Sequence, residues 1–226
     1  MNRFCKFAEP DIKRNKRQGF PEAIYSPGKT VEQIIHIAGK LLQSGAPIIV
    51  TRAEPYVFKK LKKKFKNCEY NKLGRIIILR PGHKKNARIS KPAGSLISIV
   101  TAGTSDIPIA EEAAVTCEIL GSRVERIYDI GIAGIHRVEN NIDRLKKSSC
   151  IIVCAGMEGA LPGIIGGLVS VPVIGVPTSV GYGSSFNGLT PLLSILSSCV
   201  ANVCSVNIDD GYGAGVIAHL INKGRS

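Results

Sequence analysis

Residues 150–179 have the sequence CIIVCAGMEGALPGIIGGLVSVPVIGVPTS, in which two apolar runs flank a stretch with helical periodicity. The runs Cys150–Cys154 and Pro172–Val176 are almost entirely apolar, as strands are when both faces of a sheet are covered. Leu161–Val169 between them has the spacing of a helix. Parallel strands need a long crossover connection, so this order predicts a parallel βαβ unit.

The same alternation continues on both sides of this stretch. Further strands are predicted at Ser95–Thr101, Arg126–Asp129 and Val203–Ile208. Helical patterns occupy Ile109–Leu120, Arg137–Lys147, Leu189–Ser198 and Ala214–Asn222. Buried strands that alternate with helices predict a three-layer, doubly wound α/β domain with a parallel sheet.

The composition excludes several classes of protein. The chain has 226 residues, 44% of them hydrophobic and 21% charged, which excludes disorder, collagen and a disulfide-stapled miniprotein. No apolar run reaches the roughly 18 residues that a membrane span needs, and the N-terminus lacks the apolar core of a signal peptide. Seven cysteines cannot all pair, which favours a reducing compartment. We therefore expect a soluble, cytoplasmic protein.

The charge is divided unevenly along the chain. Residues 1–94 carry 22 basic and 6 acidic residues, a net charge of +16, whereas the remainder carries 8 basic and 11 acidic residues, a net charge of -3. The composition changes within a Pro- and Gly-marked stretch at residues 81–94. We expect a basic N-terminal α/β domain at 1–90 and a catalytic domain at 91–226. Helices are predicted in the first part at Glu32–Gln43 and Pro55–Phe65, and strands at Pro47–Thr51 and Arg75–Leu79.

The densest basic run is KKLKKKFK at residues 59–66. Its apolar positions Val57, Leu61 and Phe65 recur every four residues, which is typical of an amphipathic helix with a solvated face. That interpretation is favoured, so no nucleic-acid or membrane partner is expected. An anionic partner such as nucleic acid remains the alternative for this run.

Ligands of doubly wound sheets bind beyond the carboxyl ends of the strands. The five segments that follow the predicted strands are rich in glycine or hydroxyl groups: TAGTSD at 101–106, IGIAG at 130–134, AGMEG at 155–159, PTSVGYG at 177–183 and DDGYG at 209–213. Their convergence predicts the functional site. GYGAG resembles a phosphate loop, but it follows the last strand, which argues against a classical dinucleotide-binding fold.

Several residues of these loops suit a nucleotide. Ser105 and Asp106 precede a helix, where they can cap it or bind ribose and phosphate. Glu158 is an acid within an uncharged run, suited either to general-base work or to capping the next helix. His136 and Arg137 begin another helix, and Arg137 suits a phosphate or carboxylate. The residue type alone makes Cys199 a weak candidate nucleophile, and no cysteine spacing indicates a zinc site.

Taken together, the motifs resemble a known family. TSDIPIAEEA, GIHRV, CAGMEGALPGIIGGL, PVIGVPTSVGYG and NIDDGYGAG are similar to the aminoimidazole ribonucleotide (AIR) carboxylase of purine biosynthesis, and more closely to the LarB family of nickel-pincer cofactor synthesis. RNKRQGFPEAIYSPGKTVEQ resembles the segment that precedes this domain in LarB. The purine enzymes carry a catalytic histidine in AAHLPG, where this chain has EGALPG with Ala160 at that position.

The resemblance implies a flavodoxin-like fold and a carboxylase and hydrolase that acts on nicotinic acid adenine dinucleotide. The products would be pyridinium-3,5-biscarboxylic acid mononucleotide and AMP, with CO2 as co-substrate, no tightly bound cofactor, and Mg2+ as a candidate counter-ion of the phosphates. Cys199 would add to the pyridinium ring, Glu158 would remove the ring proton, and His136 would assist either step. The implied substrate-binding residues are Ser105, Asp106, Arg137, Gly156, Met157, Ser179 and Gly181.

Two other functions remain open from the sequence. A purine-type carboxylase or mutase is the first, against which Ala160 argues. A nucleotide-sensing or nucleic-acid-binding module that kept the fold without the chemistry is the second. The related carboxylases are octamers, and the apolar helices at Leu161–Val169 and Leu189–Ser198 could pack between subunits, so a homo-octamer is expected.

Overall fold

The computed structural model describes residues 7–82 and 95–224. The chain divides into two compact units, Met1–Ala87 and Arg88–Ser226. Each unit has its own sheet and its own hydrophobic core. No helix within the described ranges is long and apolar enough to cross a membrane.

The first unit is a small α/β fold with a mixed sheet. Its strands are β1 (Ile24–Tyr25), β2 (Ile48–Thr51), β3 (Cys68–Asn71) and β4 (Ile76–Leu79), in the spatial order β1-β2-β4-β3. Its helices are α1 (Arg14–Gln18), α2 (Val31–Leu41) and α3 (Pro55–Lys64). β1 runs parallel to β2, and the other two pairs are antiparallel. β1 and β3 were not predicted, because one has two residues and the other carries polar side chains.

Helix α2 begins at a capping box in which the Thr30 hydroxyl accepts a hydrogen bond from the Gln33 amide and the Gln33 side chain accepts one from the Thr30 amide. The apolar face of α2 and the buried residues Val57 and Leu61 of α3 join one core with alternate residues of β2 and β4. The helices therefore cover one face of the sheet.

The second unit is a doubly wound sheet of five parallel strands. These are β5 (Leu96–Thr101), β6 (Arg123–Ile127), β7 (Ser148–Ala155), β8 (Val173–Pro177) and β9 (Val203–Ser205), in the order β6-β5-β7-β8-β9. The helices are α4 (Ile107–Leu120), α5 (His136–Glu139), α6 (Ile142–Leu145), α7 (Leu161–Gly166), α8 (Leu189–Leu196) and α9 (Gly211–Lys223). This strand order is that of flavodoxin, so the predicted α/β fold is confirmed.

The strand β7 shows why the unit has three layers. Cys150, Ile152 and Cys154 belong to the core that includes residues of α4 and α9. Ile151 and Val153 point to the opposite face and belong to the core that includes residues of α5, α6 and α7. Successive side chains of a strand alternate between the two faces of the sheet, and here helices cover both faces. Every residue of the apolar run is therefore buried.

Several predicted elements differ from the structure. The strand predicted at Arg126–Asp129 is β6 at Arg123–Ile127, and the helix predicted at Leu161–Val169 ends at Gly166. The stretch predicted as one helix at Arg137–Lys147 is two short helices, because the backbone of Asn141 is not helical. The Asn141 side chain donates to the Arg137 carbonyl and accepts from the Arg144 guanidinium, which stabilises this break. The strand predicted at Val203–Ile208 ends at Ser205. It is an edge strand, and beyond Ser205 only isolated hydrogen bonds, from the amides of Val206 and Asp209, connect it to β8.

Candidate active site

A cavity of about 400 Å³ lies at the carboxyl edge of the parallel sheet. It is formed by the segments that follow β5, β6, β7 and β8, with the residues Ala102, Gly103, Ser105, Asp106, Asp129, Gly131, Ile132, Ala133, Arg137, Ala155, Gly156, Met157, Glu158, Ala160, Leu161 and Val180. A volume of this size is usual for a small-molecule site. Its walls combine apolar side chains with three carboxylates and one guanidinium group.

Six of the ten predicted site residues line this cavity: Ser105, Asp106, Arg137, Gly156, Met157 and Glu158. The structure places the other four outside the cavity wall: His136, Ser179, Gly181 and Cys199. A single chain therefore forms a cavity lined by carboxylates and an arginine. No cysteine is among the residues that line it.

Asp106 connects three of the loops around the cavity. Its side chain is buried, with 3% exposed. Its carboxylate accepts hydrogen bonds from the Gly103 amide at 2.8 Å, from the Thr178 hydroxyl at 2.6 Å and from the Gly156 amide. Burial raises the pKa of the Asp106 carboxyl above its usual value, although the three hydrogen bonds oppose this shift. Asp106 thus holds three loops of the cavity wall together.

Arg137 reaches the cavity from α5 and is held by Asp129. Its Nη1 donates to the Asp129 carbonyl at 2.7 Å and lies 3.0 Å from the Asp129 carboxylate, and Nη2 lies 3.5 Å from the Gly131 carbonyl. Asp129 was assigned to the end of a strand and was missed as a site residue. The available signal was its position directly before the loop IGIAG.

Glu158 lies at the tip of a tight turn between Met157 and Gly159, whose φ angles are 55° and 66°. The Met157 amide donates to the Val180 carbonyl at 3.1 Å, which holds the turn against the loop after β8. Glu158 is exposed at the cavity rather than buried. Its alternative role as a helix cap is wrong, because α7 starts at Leu161 with Ala160 as N-cap and has no side-chain cap.

The glycines of the predicted site have structural reasons to be glycine. A Cβ on Gly156 would lie 2.1 Å from the Val180 carbonyl oxygen, so close packing of two loops excludes a side chain there. Gly181 has a φ of 155° and packs against Ser185. Ser179 is exposed, and its amide donates to the Asp209 carboxylate at 2.8 Å.

His136 and Cys199 are exposed, and neither side chain lines the cavity. His136 is the first residue of α5. Cys199 lies between α8 and β9, and a residue that precedes a parallel strand is at the amino edge of the sheet, opposite the cavity. Within its own subunit, Cys199 therefore lies at the edge of the sheet opposite the cavity.

Neither GYGAG nor any metal cluster adds to this site. In GYGAG, a Cβ on Gly211 would lie 2.3 Å from the Ile109 carbonyl oxygen and one on Gly215 would lie 2.8 Å from the Ala113 carbonyl oxygen, so these glycines allow α9 to approach α4. Within residues 7–82 and 95–224, no group of three or more His, Cys, Asp or Glu side chains could hold a metal ion.

Both units of the chain match known protein domains. Residues 3–81 match the LarB/PurE-like N-terminal domain, and residues 96–224 match the AIR carboxylase domain. An uncharacterized protein of Methanocaldococcus jannaschii is 43% identical over 220 residues, which cover 94% of this chain and 83% of that protein.

Other proteins are similar to the second unit alone. The N5-carboxyaminoimidazole ribonucleotide mutase of Pyrococcus horikoshii is 36% identical over 130 residues, which cover 54% of this chain and 70% of the mutase. A crystal structure of a variant of Treponema denticola PurE2 is 22% identical, with a TM-score of 0.49, and the match covers 59% of this chain and 83% of that chain. Because an AIR carboxylase domain follows a LarB/PurE-like N-terminal domain in one chain, the protein belongs to the LarB family, a carboxylase- and mutase-type family related to PurE.

Proposed function

We propose that the protein converts nicotinic acid adenine dinucleotide, CO2 and water into pyridinium-3,5-biscarboxylic acid mononucleotide and AMP, the first step of nickel-pincer cofactor synthesis. The observation that carries this proposal is the composition of one cavity wall. Glu158 and Ala160 both line the cavity, so a carboxylate is present and the histidine of the AAHLPG motif is replaced by a methyl group. This wall suits removal of a proton from a carbon atom rather than the chemistry of that histidine.

The ring chemistry requires a nucleophile first. A pyridinium ring is electron-poor and does not attack CO2. Addition of the Cys199 thiolate forms a C–S bond and gives a dihydropyridine whose enamine carbon then forms a C–C bond with CO2. Glu158 takes the proton from the carboxylated carbon, the C–S bond breaks, and the ring regains its aromaticity as the thiolate leaves.

The second half of the reaction cleaves a phosphoanhydride with water. Negative charge on the bridging and terminal oxygens must be neutralised for this step. Arg137 supplies a guanidinium group at the cavity, held in place by Asp129, and the Ser105 hydroxyl lies in the same wall. No step is assigned to Mg2+ in this proposal.

Cys199 must reach a cavity from another subunit in this proposal. Two observations support a second copy as its source. Cys199 is exposed at the amino edge of its own sheet, and it follows α8, whose exposed side chains include Leu189, Leu193 and Leu196. A C2 interface that buries α8 would carry the thiol across to the neighbouring subunit. A homo-octamer built from such dimers is the proposed assembly.

Mass spectrometry tests the reaction and its nucleophile. The wild-type protein incubated with nicotinic acid adenine dinucleotide and bicarbonate should release AMP and a mononucleotide that has gained one carboxyl group. Cys199→Ala should form neither product. Cys204→Ala is the matched control, because Cys204 is the other exposed cysteine of the described ranges and should leave turnover unchanged. A fully active Cys199→Ala protein would refute the mechanism.

Mixing two inactive variants tests the shared site. Cys199→Ala and Glu158→Gln should each be inactive as pure proteins. Co-expressed in one cell they form mixed oligomers, in which some cavities combine an intact Glu158 with an intact Cys199 from the neighbour. Recovery of about a quarter of the wild-type activity is expected if the variants assemble at random. No recovery despite proven mixed oligomers would show that the two residues act within one subunit.

A mutase-type reaction is the second candidate, favoured by the 36% identity to the Pyrococcus horikoshii mutase. Incubation with N5-carboxyaminoimidazole ribonucleotide distinguishes the two functions. Turnover of this compound, without any release of AMP from the dinucleotide, would replace the proposed reaction by the mutase reaction.

A further inference from the structure

The exposed face of α3 carries a basic groove that the proposed reaction does not use. The groove has a volume of about 600 Å³ and is lined by Tyr56, Phe58, Lys59, Lys60, Lys62 and Lys63. All of its lining residues belong to the first unit. We propose that this face binds single-stranded nucleic acid.

The charge of the groove has no internal compensation. The helix sequence PYVFKKLKKK contains no acid, and in the described ranges 7–82 and 95–224 no ion pair joins a lysine of α3 to a carboxylate. Lysines three and four residues apart on a helix lie close enough to repel one another. A chain of phosphates would relieve this repulsion and release its own counterions.

Aromatic rings accompany the lysines. Tyr56 has 58% of its surface exposed. The Phe58 ring stacks on Tyr70 at a centroid distance of 5.1 Å, while the Lys62 ammonium lies 5.3 Å from the Phe58 centroid on the same helix. Bases of a single strand stack on exposed aromatic rings, whereas bases of a duplex are already stacked on each other. Phe58 is thus already engaged, and the exposed Tyr56 ring beside the lysines is the feature that favours a single strand.

A lipid surface fits this helix poorly. Amphipathic helices that bind membranes insert a free apolar face into the bilayer. The apolar residues Val57 and Leu61 of α3 are 2% and 0% exposed, because they pack in the core of the unit. The helix thus has charge for an anionic surface but no apolar face to insert.

Fluorescence anisotropy with a labelled 12-nucleotide oligouridine tests the proposal. The wild-type protein should bind in 50 mM NaCl and weaken steeply by 200 mM. Replacing Lys59, Lys60, Lys62 and Lys63 together by Gln should weaken binding at least tenfold and reduce the slope of log K against log salt by about 3, at about 0.7 per lost phosphate contact. Tyr56→Ala should weaken binding about tenfold through lost stacking.

A variant of equal charge is the control. Lys13, Lys16, Lys146 and Lys147 are exposed lysines outside α3, and their joint replacement by Gln removes the same charge. Far-UV circular dichroism verifies that each protein is folded. Equal loss in both quadruple variants would overturn the proposal, since binding would then follow net charge alone. The proposal would also be overturned if the wild-type protein did not bind oligouridine, whether or not it bound anionic vesicles.

Discussion

Asp106 accepts hydrogen bonds from donors in three different loops, the Gly103 amide, the Gly156 amide and the Thr178 hydroxyl. These loops follow β5, β7 and β8, so one buried carboxylate joins the walls of the cavity. A buried carboxylate is costly unless its lone pairs are satisfied, and here they are. The residue therefore contributes to the stability of the unit as well as to the site.

The substitution Asp106→Asn should destabilise the protein by about 2 kcal/mol, because an amide nitrogen then faces a donor that loses its acceptor. Urea unfolding of the second unit measures the loss. Asp143→Asn is the control, since Asp143 is exposed and should change stability by less than about 0.5 kcal/mol. Equal stability of the two variants would refute the structural role of Asp106.

The cost of Asp106→Asn should also depend on pH. The folded-state pKa of Asp106 is raised above the value of 3.8 that applies to the unfolded chain. A raised folded-state pKa contributes stability that is full below pH 3.8 and is lost as the pH rises through the folded-state value. The difference between wild type and variant should thus be larger at pH 4 than at pH 8. A difference that grows with pH would contradict the direction of this shift.

At the scale of elements, the contact between α4 and α9 depends on two glycines of the GYGAG segment. The positions of Gly211 and Gly215 beside the Ile109 and Ala113 carbonyls leave no room for a Cβ. Helices approach this closely only where small residues meet a neighbouring backbone. These two glycines thus allow the close packing of α9 against α4.

Gly211→Ala should destabilise the second unit by about 2 to 3 kcal/mol, because its new methyl group would lie 2.3 Å from a carbonyl oxygen and the helices would have to separate. The midpoint of urea unfolding measures this change. Gly163→Ala in α7 is the matched control, since its Cβ would lie 3.6 Å from the nearest atom, the Ser198 hydroxyl. A Gly211→Ala protein as stable as this control would show that α9 adjusts without cost.

At the scale of the whole molecule, the chain contains no charged residue between Glu158 and Asp209. This stretch presents large exposed apolar side chains, namely Leu168, Tyr182, Phe186, Leu189, Leu193 and Leu196. Uncharged apolar surface is unusual on a protein that carries a net charge of +13. We expect this surface to be buried between identical subunits, since a patch without charge can meet its own copy without repulsion.

Leu193→Glu should break this assembly. Leu193 lies on α8 with 53% of its surface exposed, and two carboxylates brought together at an apolar interface would have to lose their water. Light scattering should show a fall in mass from an oligomer to smaller species. Leu73→Glu changes a leucine that is 61% exposed in the first unit and should leave the mass unchanged. An unchanged mass for Leu193→Glu would exclude α8 from the interface.

The sequence by itself determined the backbone plan of the second unit. The apolar runs that became β5, β7 and β8 were recognisable because burial on both faces of a sheet leaves no polar alternation. The parallel order then predicted that the loops containing Ser105, Asp106, Gly156, Met157 and Glu158 would meet at one edge. These inferences rest on local periodicity and on the chirality of crossover connections, which are properties of short segments.

Tertiary structure decided that Asp129 lines the cavity and that Cys199 does not. Asp129 forms an ion pair with Arg137 at the cavity. Cys199 lies at the opposite edge of the sheet, because the chain crosses to that edge before β9 begins. No local pattern encodes either outcome, since both depend on where each strand stops and on the direction in which the next segment leaves. Contacts between residues distant in sequence are set by packing of the whole unit, which the spacing of residues along the chain does not specify.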